Sequence, residues 1–109
     1  MNETANTPHK INLNDLLSFQ QGAVVSKVLL KKNTGNITHF AFGGGEGLSE
    51  HTAPFDAFVH ITEGEAEIII SGKTCLLGRG EAIVMPAGEP HSLKAITDFK
   101  MILVMIKSE

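Results

Sequence analysis

The chain has one cysteine, no tryptophan and no tyrosine, and each shortage narrows what it can be. A lone Cys75 excludes an intrachain disulfide and any zinc site made of cysteine alone. Flanked by Thr74, Leu76 and Leu77, it reads as a small strand residue; a reactive thiol needs an electropositive neighbourhood. Without Trp or Tyr, the usual stacking platforms for bases and sugars are missing, and six Phe remain. There is no excess of positive charge: 9 Lys and Arg face 12 Asp and Glu, a formal net charge of −3. That argues against nucleic acid or an anionic membrane as a partner, since both select basic surfaces. No apolar run approaches the roughly 18–20 residues that span a bilayer. The start, MNETANTPHK, lacks the apolar stretch of a signal peptide, so a cytoplasmic protein is expected. On that expectation the glycosylation patterns at Asn2-Glu3-Thr4 and Asn36-Ile37-Thr38 are chance.

What is present is globular. Of 109 residues 42% are hydrophobic and 19% charged, which fits one domain with one core. Residues 1–10 are polar and read as a flexible tail, leaving 11–109 for a single domain. Asn12 can cap a short helix, with Asp15 three residues on and Leu13, Leu16 and Leu17 along one face. From Gly22 onward the helical period stops. Eight short runs follow: AVVSKVLL, NITHFAF, FDAFVHIT, EAEIII, TCLL, AIVM, HSLKAI and FKMILVMI. Glycine, asparagine and proline separate them, at a spacing that predicts a sandwich or closed barrel. No helix is long enough for a parallel crossover. In EAEIII, Ala66, Ile68 and Ile70 share the core face. The last run is apolar on both faces, with Phe99, Met101, Leu103 and Met105 opposite Ile102, Val104 and Ile106. A strand wet on neither side needs a second cover, which is either another subunit, giving a homodimer, or the N-terminal helix.

Two segments carry the chemistry. The first is Gly45-EGLSE-His51-TAPFDAFVHITE-Gly64, and the second is Gly80-EAIVM-Pro86-A-Gly88-EP-His91-SLKA. Together they resemble the two motifs of the cupin superfamily: Gly, five residues, His-x-His, three or four residues, Glu, six residues, Gly; then Gly, five residues, Pro-x-Gly, two residues, His, three residues, Asn. The resemblance covers about residues 36–106. It implies an all-β, cupin-type jelly-roll barrel, here with a short N-terminal helical segment, and places His51 and His91 inside the barrel. Pro86 and Pro90 then stiffen the segment that delivers His91 to its strand.

The departures from the motifs decide the expected function. The family's divalent metal is held by the paired histidines and Glu of the first motif and the histidine of the second. Here Ala53 replaces the second His, Ala57 (or Phe58 in the longer spacing) replaces the Glu, and Ala95 replaces the Asn. His51 and His91 alone could hold a divalent metal (Fe, Mn, Ni or Zn) only weakly, because a tight site takes three or more ligands. Asp56 is one residue out of register and cannot repair the set. The leading expectation is therefore a cupin that binds a small molecule in a pocket marked by His51, Phe55, Phe58 and His91. The alternatives are a metal-dependent enzyme of dioxygenase or isomerase type, and a non-catalytic dimer scaffold. Strand alternation sends His60 to the outer face if position 57 faces inward. His39 is outside if Phe40 and Phe42 form the core, and inside otherwise.

Overall fold

The computed structural model describes residues 8–107 and is built almost wholly of antiparallel strands. Seven residues of the expected ten-residue tail lie outside the described residues. After α1 (Leu13–Leu16) come β1 (Val24–Lys32), β2 (Gly35–Phe42), β3 (Gly47–His51), β4 (Phe55–Glu63), β5 (Glu65–Ile70), β6 (Lys73–Gly78), β7 (Ala82–Met85), β8 (His91–Ala95) and β9 (Phe99–Lys107). One sheet runs β1-β2-β9-β4-β7 and the other β3-β8-β5-β6. The two pack face to face as a jelly roll, which leaves one side of each strand for the interior. Eight of the strands coincide with the apolar runs of the sequence. β3 does not, because it lies in a glycine-rich stretch that reads as a loop.

The core sits between the sheets and is densest at one end. Phe42 of β2 pairs in register with Phe99 of β9, and their rings stack with centroids 4.5 Å apart. Both are fully buried, as are Ile61, Ala66 and Ile68. Complete burial of a Phe side chain contributes roughly 1.5–3 kcal/mol, so this plug closes one end of the barrel. Further along β9 the interior-facing residues become Met101, Leu103 and Met105, and the barrel opens.

The outer face of the five-stranded sheet is divided. At one end the N-terminal segment lies over it. Asn12 caps α1 by accepting a bond from the Asn14 amide at 3.1 Å. The Asn14 carbonyl then accepts from Lys100 Nζ at 3.1 Å, and that ammonium sits 5.1 Å from the Phe19 ring centroid. Ala41 and His39, outward-facing by strand parity, are fully buried there. At the other end the row Ile37–Val104–Phe58–Val84 crosses four strands, with Phe58 and Val84 exposed. The N-terminal segment, one of the two covers considered for the last strand, thus lies over one end of this face.

Candidate functional site

The site is built on the pairing of β3 with β8. Gly47 lies opposite Lys94, Leu48 opposite Leu93 and His51 opposite His91, with an irregularity between Leu48 and His51. The extra residue on β3 reverses the alternation, so that Leu48 and His51 line the same interior although an odd number of positions separates them. Gly47 permits this approach: a Cβ there would run into the Leu93 carbonyl oxygen. The second motif supplies the other histidine through a pinned turn. The Gly88 amide donates to the Ala53 carbonyl at 2.9 Å, and the Ala87 amide donates to Asp56 Oδ1 at 2.9 Å. Asp56 is thus on the outside, as its register requires, and it holds the Pro86–Pro90 turn against the start of β4.

The two imidazoles meet edge to face, with ring centroids 4.3 Å apart. Each is anchored in the same way. His51 Nδ1 is 2.8 Å from the Ser49 carbonyl oxygen, and His91 Nδ1 is 3.0 Å from the Glu89 carbonyl oxygen. A carbonyl only accepts, so in the neutral rings Nδ1 carries the proton and Nε2 keeps its lone pair. Among the described residues no hydrogen bond reaches either Nε2. His51 is exposed at the mouth and His91 half-buried behind it.

The cavity they share encloses about 60 Å³ and, Ser92 aside, is otherwise lined by apolar residues. Ala53, Phe55, Ala57 and Val59 line it from the β4 side, Met85 from β7, and Met101, Leu103 and Met105 from β9. Phe55 is one of these lining residues, whereas Phe58 is 44% exposed on the outer face, because Ala57 and Val59 hold the two inward positions beside it. His60 shares the outward parity of Phe58 and is half-buried. A wider groove of about 330 Å³ runs over the outer surface of β3, β8 and β5, but it is open and contains neither histidine.

The family's complete divalent centre does not fit these residues. Ala57 stands where the carboxylate belongs and is buried between Met85 and Met105, its register partners on either side. Among the described residues no three of His, Cys, Asp and Glu gather as a metal-holding group. Cys75 is a free, half-buried residue packed against the core, outside the cavity.

His39 is the feature that strand parity left open. Phe40 and Phe42 face the interior, so His39 is on the outer face, yet it is completely buried, and among the described residues neither ring nitrogen has a hydrogen-bond partner. Burial, and secondarily the charge of Lys100, hold its pKa below the ordinary histidine value of 6.5.

Comparison with known proteins places this geometry. No curated protein matches the chain. A conserved protein of unknown function from Streptococcus pyogenes is 37% identical, covers 95% of this chain and 93% of its own, and superposes with a TM-score of 0.88. A cupin superfamily protein from Desulfitobacterium hafniense is 24% identical, with 94% of each chain covered and a TM-score of 0.87. Salicylate 1,2-dioxygenase from Pseudoaminobacter salicylatoxidans shares the fold over 76% of this chain and 26% of its own, at 18% identity and a TM-score of 0.71. Residues 37–107 match the Cupin domain family, and the chain belongs to it.

Proposed function

We propose that the protein is a binding cupin that takes up a small ligand at the barrel mouth through His51 and His91. The observation that carries this reading is the paired imidazoles, each tied at Nδ1 to a main-chain carbonyl, so that both Nε2 atoms keep their lone pairs in two residues that line a largely apolar cavity. Such a site combines a few fixed polar atoms with an apolar wall, the usual composition of a ligand pocket. The volume of about 60 Å³ limits the occupant. Drug-sized pockets enclose roughly 300–1,000 Å³, so a sugar or nucleotide is too large and a ligand of a few heavy atoms is the right scale. Among the described residues the cavity contains no pair of carboxylates, and Ser92, the hydroxyl residue of its lining, follows His91 directly on β8, where successive side chains point to opposite faces, so binding accounts for its residues better than catalysis does.

A thermal-shift screen of small acids, alcohols, amines and metal ions tests this. Ligands that fit raise the melting temperature by mass action, and the rise disappears in His51→Ala and His91→Ala. A stabilising ligand whose effect survives both substitutions overturns the reading. The exposed row containing Phe58 and Val84, with Ile106 beside it at 59% exposure, favours a homodimer through that face as part of the same proposal.

A further inference from the structure

We infer that the pocket is a soft-metal socket selecting copper in its monovalent state, with His51 and His91 as nitrogen donors and methionine thioethers completing the set. The inference rests on the binding reading above and names its ligand. Three methionine side chains line the cavity that holds the two imidazoles. Met85 and Met105 flank Ala57 on the two neighbouring strands, so two thioethers border the position where the family's carboxylate is missing. Met101 stands deeper, beside Ile61 and Phe40.

Three physical arguments converge on a monovalent soft ion. The first is donor type: imidazole nitrogen with thioether sulfur suits Cu(I), whereas Mn, Mg and Ca want oxygen. The second is charge. The cavity contains no carboxylate or thiolate, so the metal's charge is not neutralised by the protein. The cost of placing an ion in a low-dielectric cavity grows with the square of its charge, so a divalent ion pays four times the penalty of a monovalent one. The third is orientation. A metal-binding histidine characteristically donates its other ring N–H to a carbonyl or carboxylate, which fixes the tautomer. Both histidines here do so, each with the carbonyl two residues before it. Methionines serve more often as flexible core filler, and filler alone explains neither the paired, pre-oriented Nε2 atoms nor the neutral donor set around them.

The test is a competition under anaerobic, reducing conditions, with Cu(I) presented as its coloured bis-bicinchoninate complex. Cys75→Ala serves as the background throughout, which removes the free thiol from the measurement. The folded protein is expected to withdraw one Cu(I) per chain. His51→Ala and His91→Ala should abolish the withdrawal. The near-isosteric double substitution Met85→Leu with Met105→Leu, which keeps the core filled, should weaken Cu(I) binding at least tenfold. Failure of the folded protein to withdraw copper overturns the inference, as does withdrawal that the methionine substitutions do not weaken. If copper is not held but a small organic ligand still stabilises the metal-free protein through His51 and His91, the copper assignment falls and the pocket reading stands. If neither binds, both fall.

Discussion

His39→Leu should stabilise the protein, although it removes a fully buried native side chain. His39 has no exposed surface, and both of its ring nitrogens lack hydrogen-bond partners among the described residues. An unsatisfied buried polar group costs about 1–3 kcal/mol, and leucine fills similar space without that cost. For a domain near 100 residues, 1 kcal/mol moves Tm by roughly 4–8 °C, so the expected gain at pH 8 is on the order of 5–20 °C. The effect also depends on pH in a definite direction. The folded-state pKa is lowered below the ordinary value of 6.5, so on acidification the unfolded chain takes up the proton first. This contribution to stability is fully present above the unfolded pKa, falls as pH drops below it, and stops falling once pH is below the folded pKa. The charges near the ring are those of Lys100 on β9 and Lys27, its register partner on β1, with His60 one strand beyond β9. Thermal unfolding followed by circular dichroism between pH 8 and 5.5 tests both parts. Wild type should lose Tm on acidification through this range, His39→Leu should be higher and flatter, and His39→Gln should be flatter without the full gain. A lower Tm for His39→Leu at pH 8, or an unchanged pH slope, would refute the reasoning.

Other consequences are simpler. Gly64 has φ +79°, and a Cβ there would collide with the Asp98 carbonyl oxygen, whereas Gly72 has φ +80° with open space around it. Gly64→Ala should therefore cost more than the roughly 1–3 kcal/mol of backbone strain alone, and Gly72→Ala no more than that, as read from urea denaturation. Phe99→Ala removes one half of the stacked plug and should cost about 3–5 kcal/mol in the same assay. Phe58→Glu places a charge in the exposed apolar row. Sedimentation velocity at micromolar concentration should then show a dimer for wild type and a monomer for the variant, and a wild-type monomer would remove the dimer from the account.

Much of the fold was legible because the interior pattern is strict. Ala66, Ile68, Phe99 and Met101 take the inward positions that alternation assigns them. The helix start was readable because Asn12 is a good N-cap, a purely local property. β3 was hidden, since its glycines suppress strand propensity and its bulge breaks the period that would reveal it. The position of Phe58 followed from choosing between two motif spacings, and only the inward burial of Ala57 and Val59 decides that choice. Asp56 is out of register with the ligand set in the sequence, but its bond to the Ala87 amide joins segments distant in sequence and leaves no local signal. His39 is similar: its burial depends on a segment that crosses the sheet through Asn14, Phe19 and Lys100. Met101 and Met105 were visible as sharing one face of the last strand. The grouping of Met85 and Met105 around Ala57 depends on which strands neighbour β4, a matter of topology.

The central claim is that His51 and His91 present free Nε2 atoms to whatever the cavity holds. Long-range ¹H–¹⁵N NMR of the histidine side chains measures this directly. In the metal-free protein at neutral pH, both neutral rings should carry the proton on Nδ1, and on saturation with Cu(I) or a stabilising small ligand the two Nε2 resonances should shift together. Protonation at Nε2 in either neutral ring, or a bound ligand that leaves both Nε2 resonances unmoved, would contradict the account.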